Sequence, residues 1–229
     1  MDRILTKEEF KKKRKKVKYI KLGIICVAAL ALVMIVIVAI FSLLSSLFGK
    51  SSGNSTINAL KKQLTIKEKF LSKNDYSRSQ IKLETVKGIV IHYTGDSGTT
   101  AEGRREYYET LKTEPAQSCH FIVGLSGEII QCIPTDEIAY ASLTRNKDTL
   151  SIEYCHETKD GTPKESTYTS LVNLTAWLME SNGLKTTDIM RHYDVNSTPC
   201  PNYFVDNQEQ WSKFLQDVQK AVDEVKKSK

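Results

Sequence analysis

The sequence predicts an α/β domain, with a single mixed β-sheet flanked by helices, preceded by one transmembrane helix. Short runs rich in β-branched residues alternate with longer segments of helical periodicity, which is typical of helices packed on a sheet. Ahead of them, residues 22–48 form an apolar run of 27 residues without a charge. Because about 20 apolar residues are enough to cross a bilayer, this run predicts a membrane anchor.

The charges around the apolar run predict its orientation. Residues 1–21 hold ten Lys or Arg and three Asp or Glu, a net charge of +7. Since positive charge stays in the cytoplasm, we expect a cytoplasmic tail at 1–21, an anchor at 22–48 and an extracellular remainder. A cleaved signal peptide is the alternative, but its apolar region spans about 7–15 residues and ends in an A-x-A-like site, which this run lacks.

The net charge of +6 does not indicate a nucleic-acid partner. Subtracting the +7 of residues 1–21 leaves −1 for the rest of the chain, so the basic excess lies beside the predicted anchor. Anionic lipid is the natural partner of such a tail. We therefore expect no nucleic acid, and membrane contact through the N-terminal helix.

Residues 49–73 are predicted to be an extracellular linker or stalk. Residues 49–56 are small and polar, as in flexible spacers. Residues 57–71 carry apolar side chains at near-helical spacing, and a lead-in to the domain is the favoured interpretation. The globular, catalytic domain is predicted at 74–229.

Five short segments predict the strands of the sheet. Each is apolar or β-branched at its centre and is bounded by polar or turn-forming residues. Gly124 and Gly127 separate the second segment from the third by a few residues and so predict a hairpin. In chain order the predicted strands are residues 87–93, 120–123, 128–132, 150–155 and 188–191.

Three longer segments predict helices. Within 165–181 apolar side chains recur on one face, and the following Asn-Gly is a typical helix end. The last helix is expected to begin at Asp206, because Asp206 and Glu209 have the spacing of a capping box. The predicted helices are residues 101–112, 165–181 and a final helix from 206, whose inner face carries Trp211, Phe214, Leu215, Val218 and Val222.

Two histidines and a cysteine are the candidate metal ligands. His92 ends the strand at 87–93, His192 follows the strand at 188–191, and Cys200 lies between two prolines. Two imidazoles and one thiolate suit zinc, and three protein ligands leave a fourth position for water, as in catalytic sites. A zinc-bound water loses a proton near neutral pH and can attack a carbonyl. Taken singly, a buried His is more often satisfied by a hydrogen bond than by a metal, and a buried Cys usually packs as a small hydrophobic residue.

Glu153 lies in the middle of the otherwise apolar strand at 150–155. A buried carboxylate is destabilising unless it is paired or faces a cavity. Near a zinc-bound water it would accept the proton during attack and return it to the leaving nitrogen. The alternative is an edge strand on which Glu153 faces solvent.

The remaining cysteines leave two questions for the structure. Four cysteines follow the predicted anchor, in a part of the chain where disulfides are chemically allowed. The sequence leaves undecided whether Cys119 and Cys132 form a single disulfide. Cys119 also precedes His120, which suggests the alternative hypothesis of a Cys/His nucleophile pair, as in a cysteine endopeptidase. Adjacent residues on a strand point to opposite faces, which disfavours that pair.

The segment from about residue 66 to 217 resembles the zinc-dependent N-acetylmuramoyl-L-alanine amidases, whose fold is shared by phage lysozyme-type amidases and peptidoglycan-recognition proteins. The motifs that carry the resemblance occur in the family's order. They are Ile89-Val90-Ile91-His92-Tyr93-Thr94, the hairpin segment 120–129, Asn146 with Leu150-Ser151-Ile152-Glu153, Arg191-His192-Tyr193-Asp194 and Pro199-Cys200-Pro201.

The resemblance implies roles for five residues. His92, His192 and Cys200 would bind Zn²⁺, and Glu153 would be the catalytic acid–base residue. Thr198 occupies the position where many relatives carry a Lys that stabilises the transition state, and where catalytic peptidoglycan-recognition proteins carry Thr. Its hydroxyl is expected to donate one hydrogen bond to a developing oxyanion.

Two further positions depart from the family pattern. Cys119 stands where some relatives have a catalytic Tyr, a loss that is tolerable if Glu153 is the base. A Trp-His-Ala segment common in the family is Tyr140-Ala141-Ser142 here, which bears on substrate contacts more than on zinc binding.

The resemblance and the anchor together imply a peptidoglycan hydrolase held in the cell membrane of a Gram-positive-type bacterium. It would cross the membrane once and display its catalytic domain outside the cell. Its reaction would be hydrolysis of the amide between the lactyl group of N-acetylmuramic acid and L-alanine of the stem peptide. The alternative is a non-catalytic peptidoglycan-binding module of the same fold, which the retained ligands and Glu153 disfavour.

Overall fold

The computed structural model describes residue 16, residues 32–40 and residues 53–228. The chain divides into two compact units, Met1–Ser52 and Gly53–Lys229. In the first unit, residues 32–40 are helical and their large apolar side chains are exposed. Within the described ranges no helix is both long and apolar enough to cross a membrane. The rest of the predicted tail and anchor lies outside the described residues.

The second unit is built on one six-stranded mixed sheet, which confirms the predicted α/β class. Its strands are β1 Ile66–Glu68, β2 Gly88–Tyr93, β3 Phe121–Val123, β4 Ile129–Gln131, β5 Thr149–Tyr154 and β6 Ile189–Arg191. They lie in the order β1-β4-β3-β5-β2-β6. The β3–β4 hairpin is antiparallel, as predicted, and the other neighbouring pairs are parallel.

Helices cover both faces of this sheet. They are α1 (residues 53–62), α2 Ala101–Thr110, α3 Glu165–Ser181, α4 His192–Asn196, α5 Asn202–Asp206 and α6 Gln208–Lys227. Helices α3 and α6 pack on one face and enclose the larger apolar core, whereas α2 packs on the opposite face against β3 and β4. The bounds of α3 agree with the predicted helix at 165–181.

The C-terminal helix begins differently from the prediction. Asp206 ends the short helix α5, and α6 starts at Gln208 after Asn207, whose non-helical backbone (φ −122°, ψ 79°) interrupts the helix. The predicted capping box of Asp206 and Glu209 is therefore wrong, since Asn207 is the N-cap and its side chain makes no capping hydrogen bond. The predicted inner face is correct, because Trp211, Phe214 and Val218 are buried.

The folded unit also begins earlier than the predicted boundary at residue 74. Strand β1 pairs in parallel with β4, so residues 66–68 belong to the sheet. Leu60 and Leu71 are each only 1% exposed, and both pack into apolar clusters. Much of the predicted stalk at 49–73 is thus part of the domain, because its apolar residues cover sheet and core.

The two faces of the sheet differ in chemistry. Leu150 and Ile152 of β5 project into the apolar core beneath α3 and α6. Glu153 projects to the other side, because successive strand residues alternate. His92 on β2 lies in register with Glu153 on the neighbouring strand, so both side chains rise from the same face.

A candidate metal centre beside a buried carboxylate

The three predicted ligands are brought together where two parallel strands end. His92 is near the end of β2, and His192 is the first residue of α4, directly after β6. Strands β2 and β6 are parallel neighbours, so these ends meet at one edge. Cys200 follows α4, and one ligand atom from each of the three side chains lies within 4.8 Å of the others.

The geometry fits a divalent cation. His92 Nδ1 is 3.8 Å from Cys200 Sγ. Tetrahedral zinc with its usual Zn–N and Zn–S bond lengths would separate such atoms by about 3.6 Å. The two imidazole rings lie 4.7 Å apart between centroids, with planes 51° apart. His192 Nε2 is buried with no hydrogen-bond partner among the described residues, a polar atom that a metal would satisfy.

Burial sets the protonation of these ligands. It lowers the pKa of His92 well below its usual value, reinforced by the charges of His192 and Arg104, and it lowers the pKa of His192. Burial raises the pKa of Cys200 to about 12, although a hydrogen bond from the Tyr93 backbone opposes the shift. The imidazoles are therefore neutral with free lone pairs, and a cation binding here would displace the thiol proton.

Glu153 is buried and paired rather than solvent-facing. Strand β5 lies between β3 and β2, so the edge-strand alternative is wrong. Only 4% of the Glu153 side chain is exposed, and its Oε1 is 2.8 Å from Arg104 Nη2. Its Oε2 accepts a hydrogen bond from the Tyr108 hydroxyl. The carboxylate is thus held on both oxygens while it faces the cavity that contains the ligands.

Arg104 and Tyr108 are site residues that the sequence interpretation missed. They lie one turn apart on α2, where Arg104 Nε donates to the Tyr108 hydroxyl at 3.2 Å and the guanidinium lies 4.9 Å from the Tyr108 ring centroid. Burial alone would lower the pKa of Arg104, but the charges of Glu153 and Tyr108 and the hydrogen bonds to them together outweigh burial and raise that pKa. Their spacing of four residues on a predicted helix, together with a buried Glu that needs a cation, is the signal that would have found them.

One cavity of about 630 Å³ contains all of these groups. Among the described residues that line it, Arg104 is the one lysine or arginine. Thr198 lines the cavity at an exposed position, where its backbone N–H donates to Asn196 Oδ1 at 3.0 Å and its carbonyl accepts from the Cys200 N–H at 2.7 Å. Thr198 thus lies at the rim of the site, two residues before Cys200.

The Cys/His nucleophile pair does not form. Cys119 Sγ donates to the Phe121 carbonyl at 3.2 Å, while His120 bonds Ser151 and the Glu137 carbonyl instead. Burial raises the pKa of Cys119 well above its usual value, which disfavours the thiolate. The described cysteines are all free, so Cys119 is not bridged to Cys132 in this structure.

Two further polar side chains also lie away from the ligand cluster. Asp194 pairs with Arg191 at 2.7 Å rather than with a ligand histidine. His156 is fully buried, stacks on Tyr93 and does not line the cavity.

An α/β sheet that gathers two histidines, a cysteine and a buried carboxylate around one cavity defines a candidate metal-dependent hydrolase. The family model described as N-acetylmuramoyl-L-alanine amidase matches residues 82–203, which are 122 of the 229 residues. The chain belongs to this family, as its motifs predicted.

Individual relatives agree with this assignment. The N-acetylmuramoyl-L-alanine amidase CwlL of Bacillus licheniformis is 34% identical over 165 residues, which cover 65% of this chain and 45% of that protein. The amidase BlyA of Bacillus subtilis (strain 168) is 31% identical over 166 residues, with 63% and 44% coverage. The chain thus spans less than half the length of these curated relatives. A solved structure of PlyL shares the fold, with a TM-score of 0.59 at 22% identity, covering 68% of this chain and 97% of that one.

Proposed function

We propose that this chain is a peptidoglycan hydrolase that cleaves the amide between the lactyl group of N-acetylmuramic acid and L-alanine of the stem peptide. The observation that carries the proposal is the shared cavity of Glu153 and the cluster of His92, His192 and Cys200. Membership of the amidase family and the names of the curated relatives support the same reaction.

The same three side chains would hold the metal. Two neutral imidazoles and a thiolate are a borderline-soft donor set that suits zinc, and the open cavity beside them leaves room for substrate. Bound there, zinc would supply Lewis acidity and a water nucleophile activated near neutral pH.

Glu153 is the group placed to move protons. A carboxylate has about four lone-pair sites, so it can accept a hydrogen bond from water while Arg104 and Tyr108 remain in place. It would take the proton from the attacking water and return it to the leaving nitrogen of L-alanine. Thr198 would donate a hydrogen bond to the developing oxyanion from the rim of the cavity.

The activity is tested with the full-length chain in mild detergent and purified cell walls. The expected products are stem peptides with a new N-terminal L-alanine, identified by mass spectrometry. Treatment with 1,10-phenanthroline should stop their release, and added zinc should restore it. Binding to walls without release would indicate a binding module instead, and cleavage within the stem peptide would indicate an endopeptidase.

We propose further that the chain is anchored once in the membrane, with residues 1–21 inside the cell and the domain outside. The uncharged run at 22–48 supports this, and the described part of it, residues 32–40, is a helix with exposed apolar side chains. A helix that is apolar on all sides suits lipid. In a Gram-positive host, the chain should resist alkaline carbonate extraction, and protease added to protoplasts should remove the domain. Recovery from the medium of a chain lacking residues 1–48 would contradict the anchor.

A further inference from the structure

The two ring nitrogens of His92 face different partners. Nδ1 lies 3.8 Å from Cys200 Sγ and therefore points into the ligand cluster. Nε2 lies 3.2 Å from the hydroxyl of Ser142. Both residues are buried, with 7% of His92 and 1% of Ser142 exposed.

Ser142 is held in place by its own turn. Asn146 Oδ1 accepts the backbone N–H groups of Ser142 at 2.5 Å and Ala141 at 3.1 Å. The Ser142 carbonyl accepts the Arg145 N–H at 2.9 Å. Leu143 adopts a left-handed backbone (φ 49°), a conformation that costs a non-glycine residue about 1–2 kcal/mol. The surrounding bonds impose this turn, and the turn directs the Ser142 hydroxyl at His92.

For the other histidine of the cluster, the structure shows only which nitrogen is free: His192 Nε2, the atom that a metal would satisfy, is buried with no hydrogen-bond partner among the described residues. A metal-bound imidazole usually donates its second N–H to an oxygen, which fixes both its tautomer and the orientation of its ring. Of the two histidines, the structure provides a buried oxygen for His92.

We propose that Ser142 is a positioning residue of the metal centre. Its hydroxyl accepts the Nε2–H of His92, selects the tautomer whose Nδ1 lone pair is free, and aims that nitrogen at the position shared with His192 and Cys200. The proposal rests on the proposed zinc function. Asn146 contributes indirectly, because it fixes the turn that carries Ser142.

The chain offers a matched control. Ser151 Oγ lies 3.0 Å from His120 Nδ1, so a second buried Ser–His hydrogen bond exists close to the site. His120 is not a member of the ligand cluster. Removing the Ser151 hydroxyl therefore reports what losing a buried Ser–His bond does to the fold without touching a candidate ligand.

The experiment measures zinc affinity rather than activity. Full-length wild type, Ser142→Ala and Ser151→Ala are stripped of metal in detergent and titrated with zinc against a chromophoric chelator. Thermal unfolding of each metal-free protein is recorded in parallel. Loss of an outer hydrogen-bond partner typically weakens metal affinity by about 10–100-fold, and we expect this for Ser142→Ala alone. Ser151→Ala should bind zinc as wild type does.

The outcomes separate this inference from the proposed function. Wild type that binds no zinc overturns the proposed function, and the inference with it. Wild type and Ser142→Ala that bind zinc equally overturn the inference and leave the proposed function standing. Equal losses in both serine variants also overturn it. If metal-free Ser142→Ala does not fold, Asn146→Ala replaces it in the test, because Asn146 holds the turn that carries Ser142. Weaker zinc binding is then expected, and unchanged binding overturns the inference.

Discussion

The two faces of the central sheet use the same strand in opposite ways. On β5, Leu150 and Ile152 are fully buried among apolar side chains beneath α3 and α6. Ser151 and Glu153 face the other side and are nearly as buried, but both are hydrogen-bonded or ion-paired. Burial itself stabilises the first pair by about 25 cal/mol per Å² of apolar area. The second pair is tolerated because each polar group has a partner.

The apolar face of the sheet contributes mainly to the stability of the domain, whereas the site face carries the groups expected to do its chemistry. Side chains on the apolar face are exchangeable with others of similar volume, whereas those on the site face are specified atom by atom through Arg104, Tyr108 and Ser142. Substitutions on the first face should therefore reduce the free energy of unfolding. On the second face, substitutions of the groups that line the cavity or hold a candidate ligand should alter turnover or metal binding, and stability only where a partner is left unpaired.

The largest effect should come from Glu153→Gln, which keeps the shape of the side chain but removes its basicity. Turnover should fall by about 10²–10⁴-fold, because general acid–base catalysis contributes on that scale. Zinc affinity should be unchanged, since Glu153 is not in the ligand cluster. Turnover on a defined muropeptide and chelator competition measure the two quantities. A variant with wild-type turnover would show that Glu153 is not the base.

Arg104→Gln tests whether the site face depends on pairing. It would leave the buried Glu153 carboxylate without its cation, and breaking a buried ion pair destabilises by about 3–5 kcal/mol. Lys82→Gln is the control, because the Lys82–Glu84 pair has side chains that are 70% and 75% exposed and should contribute no more than about 1 kcal/mol. Denaturant unfolding measures both. Similar losses in the two variants would contradict the comparison of the faces.

Leu150→Ala tests the apolar face. Truncating a fully buried leucine should destabilise the domain by about 2–5 kcal/mol through lost burial and the cavity left behind. The protein that remains folded should bind zinc and turn over substrate as wild type does, since Leu150 faces away from the cavity. A loss of zinc affinity at a temperature well below unfolding would mean that the two faces are coupled.

The same contrast explains which features the sequence could predict. Strands β2 and β5, helix α3 and the inner face of α6 follow from periodicity, which is a local signal. The cluster of His92, His192 and Cys200 was predictable because these residue types are unusual at strand ends. Strand β1 was missed because it is three residues long, Ile-Lys-Glu, and it exists through pairing with a distant segment.

The missed parts of the site are contacts between elements that are far apart in sequence. Arg104 and Tyr108 reach Glu153 across 49 and 45 positions, and Ser142 reaches His92 across 50. The helical spacing of Arg104 and Tyr108 marks them as a pair on one face, but no local pattern specifies that this pair meets Glu153 or that Ser142 meets His92. The predicted helix start at Asp206 failed for a related reason, since the break at Asn207 overrides a capping signal that is only a spacing.

The smallest effect concerns His120, a polar side chain whose neutral form is fully satisfied. Its Nδ1 accepts the Ser151 N–H at 3.0 Å and its Nε2 donates to the Glu137 carbonyl at 2.9 Å. Burial lowers the pKa of His120 to about 4, against 6.5 when the chain is unfolded. The unfolded state therefore binds a proton first as the pH falls, so this contribution is complete above about pH 6.5 and is lost between there and pH 4.

The share of His120 in acid destabilisation should be about 2 kcal/mol between pH 7 and pH 5. It is measured as the difference in pH dependence of unfolding between wild type and His120→Gln, both free of metal. The variant should be less stable at pH 7, where a good hydrogen-bond pair is lost, and its stability should fall less steeply with acid. Parallel curves for the two proteins would mean that His120 takes up its proton equally in the folded and unfolded states, and that hydrogen bonding does not hold it neutral.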